Sequence, residues 1–92
     1  SYVNQGSEFE YQTLKKLSNY NISSIQVGGK DDKGIDLRGY WNLVEKKLPI
    51  IVQCKNTKHK LGSKYVRELE GVLINEKSQT IGMLVANSGF ST

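Results

Sequence analysis

The chain is poor in the residues that cross-link small domains. Its 92 residues include one cysteine, one histidine and one proline. A single cysteine cannot form an internal disulfide, and one cysteine with one histidine cannot form a zinc cluster. The fold must therefore depend on an apolar core, which a chain of this length supplies for one small domain.

Long apolar segments are also missing. No run is long enough to cross a membrane, and the first residues do not resemble a signal peptide. We therefore expect no membrane partner. Because the chain begins without methionine and stops after Phe90-Ser91-Thr92, we expect residues 1–92 to be a single domain cut from a longer protein.

Positive charge is what the chain has in excess, and it is concentrated in one segment. Thirteen lysines and arginines against 9 acids give a formal net charge of +4. Residues 55–67 contain no acid and carry Lys55, Lys58, His59, Lys60, Lys64 and Arg67. Such a run favours contacts with phosphates, although a merely solvated face would have the same composition.

Hydrophobic periodicity predicts an α/β fold with the element order αβββαβ. Helical spacing covers residues 7–18 and 63–76, and strand patterns cover residues 22–27, 35–41, 48–55 and 80–85. We expect the first three strands to form a meander and the second helix to cross over to the fourth strand. The predicted architecture is a mixed sheet flanked by helices.

Polar side chains interrupt two of the apolar strands. Asp36 lies on the second strand, and Gln53 and Lys55 lie two residues apart on the third. Strand alternation places Gln53 and Lys55 on one face and Cys54 on the other, with Ile35 and Leu37 opposite Asp36. If the strands pair, Asp36 sits beside Gln53 and Lys55, and Glu10 approaches from the first helix, packed against that same face.

These residue types suit phosphodiester hydrolysis. Mg²⁺ prefers oxygen ligands and needs only one or two carboxylates, which Glu10 and Asp36 supply. Gln53 would add an amide oxygen, and Cys54 its backbone carbonyl rather than its thiol. Lys55 would orient a water or offset charge developing on the phosphate. The predicted catalytic residues are Glu10, Asp36, Gln53 and Lys55, with Mg²⁺ or Mn²⁺ as cofactor.

Three stretches resemble the PD-(D/E)xK restriction-endonuclease-like superfamily, and more closely its Mrr-like branch. They are Gly6-Ser7-Glu8-Phe9-Glu10, the segment from Gly28 to Asp36, and Gln53-Cys54-Lys55, where the branch commonly has glutamine as its second motif residue. The resemblance implies a restriction-endonuclease-like core, a DNA substrate (duplex or branched) and a chain that ends before a further helix. Cutting both strands implies a possible homodimer.

Residues 36–41 and 61–71 further resemble fungal mitochondrial proteins that are required for respiratory growth, which implies a mitochondrial location. Contacts with DNA are expected from seven basic residues: Lys30, Lys33, Arg38, Lys58, Lys60, Lys64 and Arg67. Two alternatives remain. Because Gln53 removes a negative charge from the site, the domain is alternatively a non-catalytic nucleic-acid-binding module. A structural domain whose basic face docks a protein is the third possibility.

Overall fold

The computed structural model describes residues 5–28 and 34–91, so the predicted DNA contacts Lys30 and Lys33 lie outside the described residues. The elements follow the predicted αβββαβ order. They are α1 (Gln5–Ser18), β1 (Ile22–Gln26), β2 (Leu37–Asn42), β3 (Lys47–Lys55), α2 (Ser63–Leu73) and β4 (Ile81–Ala86). Helix α2 is shorter than predicted because the chain leaves it in tighter turns, in which the amides of Asn75 and Glu76 donate to carbonyls three residues earlier.

The four strands form one mixed sheet in the order β1-β2-β3-β4. Strands β1, β2 and β3 pair antiparallel as a meander, and β3 pairs parallel with β4. A parallel pair needs a crossover connection, which α2 provides. The predicted α/β fold with a mixed sheet and flanking helices is therefore confirmed. No helix among the described residues is long and apolar enough to span a membrane.

The core has two layers that meet at β3. Helix α1 covers one face of the sheet, where the buried side chains are Leu17, Ile22, Leu37, Ile50 and Val52. Helix α2 covers the other face, where the buried side chains are Ile35, Ile51 and Leu69. Strand β3 contributes to both layers, since residues 50–53 are all buried. Its continuous apolar run reflects this central position.

Helix α1 is joined to the sheet by a short polar turn. The helix ends at Ser18, and Asn21 then adopts a positive φ of 66°, a conformation that asparagine tolerates better than most residues. The indole N–H of Trp41 on β2 donates to the carbonyl of Tyr20 at 3.1 Å. These contacts fix the start of β1 and therefore the angle at which α1 crosses the sheet.

Two glycine substitutions test the strand pairing. A Cβ added to Gly39 on β2 would lie 1.9 Å from the carbonyl oxygen of Ser23 on β1, whereas a Cβ added to Gly71 on α2 meets nothing within 4 Å. We expect Gly39→Ala to lower the free energy of unfolding by about 2 kcal/mol or more through steric overlap. Gly71→Ala should raise it by about 1 kcal/mol through helix propensity. Urea denaturation measures both, and equal effects would contradict the β1–β2 pairing described here.

Candidate metal-binding and catalytic site

The backbone departs from regular strand alternation at Asp36. Ile35 packs in the α2 layer and Leu37 packs in the α1 layer, although residues two apart on a regular strand share a face. The expectation that Ile35 and Leu37 share a face is therefore wrong. The Asp36 backbone is nevertheless hydrogen-bonded to the chain segments on both sides of it. Its amide donates to Val52 O on β3 at 2.8 Å, and its carbonyl accepts from Val27 N, directly after β1, at 2.9 Å.

The Asp36 carboxylate crosses to the next strand. Its Oδ2 accepts the backbone N–H of Cys54 at 2.7 Å. The β2–β3 ladder has its last pair at Leu37 and Val52, so this N–H lies beyond the ladder and takes a side chain as its acceptor. A hydrogen bond to a charged acceptor is stronger than one between neutral groups. It fixes the carboxylate against the strand that carries Gln53 and Lys55.

Glu10 brings a second carboxyl group to the same place. It lies half-buried within hydrogen-bonding reach of the side chains of Asp36 and Gln26, whereas Glu8 on the same helix is exposed. Burial raises the pKa of the Glu10 carboxyl, and the charge and hydrogen bond of Asp36 raise it further, while the hydrogen bond to Gln26 opposes the rise. The involvement of Gln26 on β1 has no signal in the sequence.

The two carboxyl groups have no cationic partner within residues 5–28 and 34–91. The ion pair found there joins Arg38 and Glu76 instead. Within the same residues no group of three or more His, Cys, Asp or Glu side chains is placed to hold a metal. The donor set is therefore two carboxylates together with neighbouring amide or carbonyl oxygens. A hard cation that keeps several waters fits such a set.

Gln53 is buried on the opposite side of β3 from helix α1. Its side chain is 5% exposed, and its Nε2 lies 2.9 Å from the position that a Cβ of Gly34 would take. Among the described residues, the side-chain polar atom that is buried without a hydrogen-bond partner is Ser24 Oγ, so the amide of Gln53 is not in that costly state. Gly34, with φ of 81°, leaves the space that the amide occupies.

The expectation that α1 packs on the face of Gln53 is wrong. Helix α1 covers the face that carries Ile50, Val52 and Cys54. Glu10 nevertheless reaches Asp36, because the break in alternation turns the Asp36 carboxylate toward the backbone at Cys54. The carboxyl groups therefore approach from the α1 layer, whereas Gln53 belongs to the other face of the strand.

Lys55 is directed to α2. Its Nζ lies 5.5 Å from the ring centroid of Tyr65, and Lys64 Nζ lies at the same distance from that ring. This is cation–π geometry. Among the described residues, Lys55 forms no ion pair with Glu10 or Asp36. The structure therefore brings Glu10, Asp36 and the Cys54 backbone together. The Lys55 ammonium lies apart from them, against the Tyr65 ring on α2.

The Cys54 thiol is protonated at neutral pH. Burial raises its pKa to about 11, and the nearby charges of Asp36 and Glu10 add to the rise, while a hydrogen bond with Thr13 opposes it. A neutral thiol is a poor ligand for a hard cation, because metal-binding cysteines are thiolates. At Cys54, a hard cation would therefore be served by the backbone carbonyl and not by the thiol.

The five predicted DNA-binding residues that the structure describes fall into two groups. Four of them are exposed on the loop after β3 and on α2 and are together called the basic surface here: Lys58, Lys60, Lys64 and Arg67. Arg38 differs, because its guanidinium donates to both carboxylate oxygens of Glu76 at 2.9 and 3.1 Å. We therefore leave Arg38 out of the basic surface. The sequence did not reveal this pairing, since the two residues are 38 positions apart.

Comparison with known protein families identifies the class of protein. A family model described as restriction endonuclease, of the Mrr catalytic type, matches residues 3–92. The chain belongs to this family, and the Mrr-like resemblance is confirmed.

A fungal mitochondrial protein is similar to the chain. An uncharacterized mitochondrial protein of Schizosaccharomyces pombe is 34% identical over 93 residues. The match covers 98% of this chain but 38% of that relative, so the chain spans well under half of the relative's length. No solved structure matches the chain. A fungal mitochondrial relative agrees with the second resemblance seen in the sequence.

Replacing Glu10 by Gln tests the paired carboxyl groups through stability. The pKa of Glu10 is raised above its ordinary 4.5, so the folded protein holds this proton more tightly than the unfolded chain. The stabilisation that protonated Glu10 gives the fold is complete below the pKa of Glu10 in the unfolded chain. It is lost as the pH rises through the higher pKa of Glu10 in the folded protein. We therefore expect the Tm of the parent to fall relative to Glu10→Gln between pH 4 and pH 7 in metal-free buffer.

Glu8→Gln is the matched control, since Glu8 is exposed and bonded to Gln12 on the same helix. Its Tm should follow the parent at every pH. A Glu10→Gln variant with the same pH dependence as the parent would show that the two carboxyl groups do not interact.

Proposed function

We propose that the domain is a divalent-metal-dependent endonuclease that hydrolyses phosphodiester bonds in DNA. The observation that carries this proposal is the placement of two acids at one point. The Asp36 carboxylate is held by the Cys54 N–H at 2.7 Å, with the Glu10 carboxyl beside it and no described cation paired with either. Two such groups repel each other unless they share a proton or a metal. Membership of the restriction endonuclease family supports the same reading.

The donor set fits Mg²⁺ or Mn²⁺. Glu10 and Asp36 would hold the ion with their carboxylates, Gln53 with its side-chain oxygen and Cys54 with its carbonyl. Gln53 suits this role because its side chain offers a neutral oxygen donor on the same strand, one residue before Cys54. When bound, the ion supplies polarisation of the phosphate and a water of lowered pKa.

The protein's own groups orient the reaction. The Cys54 N–H keeps Asp36 in one rotamer, which reduces the reorganisation needed when substrate arrives. Lys55 follows Cys54 directly and ends in an ammonium on a flexible stem. Its contact with the Tyr65 ring is a weak one, worth about 1 kcal/mol at an exposed site, so a phosphate can attract the ammonium away from it. There Lys55 would offset developing charge or orient the attacking water.

The basic surface supplies contacts with the DNA backbone. Its four cations are exposed and lie directly after the strand that carries Gln53 and Lys55. Contacts of this kind fix the register of duplex or branched DNA without reading its sequence. Cutting both strands requires two sites, which a homodimer would provide. Because its Schizosaccharomyces pombe relative is described as mitochondrial, the proposed place of action of the domain is the mitochondrion.

A second candidate is a non-catalytic nucleic-acid-binding module. Two observations favour it: Gln53 is neutral, and Lys55 contacts Tyr65 instead of the carboxyl groups. Such a module would use the basic surface and would not need the metal.

Cleavage assays separate the two candidates. The full-length protein, Asp36→Asn and Lys55→Ala are incubated with plasmid, single-stranded and branched DNA in Mg²⁺ or Mn²⁺. We expect metal-dependent cleavage by the parent and a loss of roughly 100-fold or more in each variant. Lys15→Ala, on the outer side of α1, is the control and should cleave normally. DNA binding without cleavage by the parent would favour the non-catalytic module.

Salt dependence tests the basic surface independently of catalysis. Four phosphate contacts predict a slope of about −3.6 for the logarithm of the duplex binding constant against the logarithm of salt concentration. Lys60→Ala should make that slope less steep by about 0.9. Fluorescence anisotropy measures both, and a slope near zero would rule out backbone contacts by this surface.

A further inference from the structure

Asn87, the residue directly after β4, holds the last residue of β3 and the two residues that follow it. The backbone N–H of Asn87 donates to Lys55 O at 3.2 Å. Its side-chain Oδ1 accepts the Thr57 N–H at 2.8 Å, and its Nδ2 donates to Asn56 Oδ1 at 2.5 Å. Asn87 therefore fixes the chain where it leaves the strand that carries Gln53 and Lys55.

The far end of the same loop is fastened separately. Leu61 is buried, its amide donates to Gly89 O at 3.0 Å, and its carbonyl accepts the Ser91 N–H at 2.8 Å. Leu61 also forms a parallel bridge with Phe90. Residues 56–61 thus form a loop that is anchored at both ends to residues 87–91.

Between these anchors, the side chains of Lys58, His59 and Lys60 are exposed. The backbone is held from within, because Thr57 Oγ1 donates to His59 O at 2.8 Å and Ser88 Oγ donates to Thr57 O. Two lysines in one short loop repel each other, and an untethered loop would separate them. The hydrogen bonds hold the backbone that carries the two lysines, and both lysine side chains are exposed to solvent.

We propose that Asn87 is a positioning residue that preorganises the 56–61 loop for binding DNA phosphates; this rests on the proposed function. An asparagine is suited to the task because one side chain supplies both the acceptor for Thr57 N–H and the donor for Asn56 Oδ1. With the loop already ordered, DNA binding does not have to include the cost of ordering it. Asn87 thereby links the end of β4 to the phosphate-binding lysines.

The test compares Asn87→Ala with Asn75→Ala in the full-length protein. Alanine at position 87 keeps the backbone N–H that holds Lys55 and removes the side-chain bonds to Asn56 and Thr57, together with the longer bond from Ser88 Oγ at 3.4 Å. Asn75 is exposed on the turn after α2 and serves as the control. Three quantities are measured: hydrogen exchange of the Thr57 amide, affinity for a DNA duplex by fluorescence anisotropy, and kcat and KM for cleavage.

In Asn87→Ala we expect faster exchange at Thr57 and roughly tenfold weaker DNA binding, because the loop must then be ordered on binding. The salt slope should stay the same, since every cation remains. In cleavage, KM should rise while kcat at saturating DNA is unchanged. Asn75→Ala should match the parent throughout.

The outcomes are separable. Faster exchange with unchanged affinity, or unchanged exchange, overturns the positioning role and leaves the proposed function standing. A parent that fails to bind DNA overturns both. If Asn87→Ala does not fold, Asn56→Ala removes only the bond between Asn56 and Asn87 and should show smaller changes in the same direction; the absence of any change there overturns the role as well.

Discussion

The hydrogen bond from the Cys54 N–H to the Asp36 carboxylate is the interaction on which the site depends. It lies where the β2–β3 ladder ends, so the donor is a backbone group that pairing no longer uses. The bond carries an acid from one strand onto the end of the next. The Glu10 carboxyl lies beside the Asp36 carboxylate, and burial together with repulsion from Asp36 raises the pKa of Glu10. Without the departure from alternation at Asp36, the two carboxyl groups would lie on different faces of the sheet.

The site is assembled where the two layers of the core meet. The carboxyl groups come from the α1 side, while Gln53 and Lys55 belong to the other face of β3. Two neighbouring carboxyl groups lower the stability of the folded protein when both are charged. Perturbed carboxyl groups of this kind cluster at functional sites, and a bound divalent cation would offset the repulsion between them. The geometry thus links the instability of the site to its proposed chemistry.

The sequence predicted the element order, the mixed sheet and the meeting of Glu10 with Asp36, because hydrophobic periodicity reports local structure faithfully. The prediction from strand alternation failed at Asp36. The break there arises because Ile35 and Leu37 pack into different layers of the core, and such tertiary packing leaves no pattern in the local sequence. Two features had no local signal, the pairing of Arg38 with Glu76 and the triple contact of Asn87. Their partners lie 30 or more residues away, and no period along the chain encodes that proximity.

The central claim is that these residues bind a divalent cation at the end of β3. Titrating isotope-labelled protein with substoichiometric Mn²⁺ and following amide resonances tests it directly, because the ion broadens signals from nearby nuclei. The account predicts that the amides of Asp36, Gln53 and Cys54 broaden first, that Asn75 does not, and that Asp36→Asn abolishes the effect. Broadening that is spread evenly over the protein, or that survives Asp36→Asn, would contradict it.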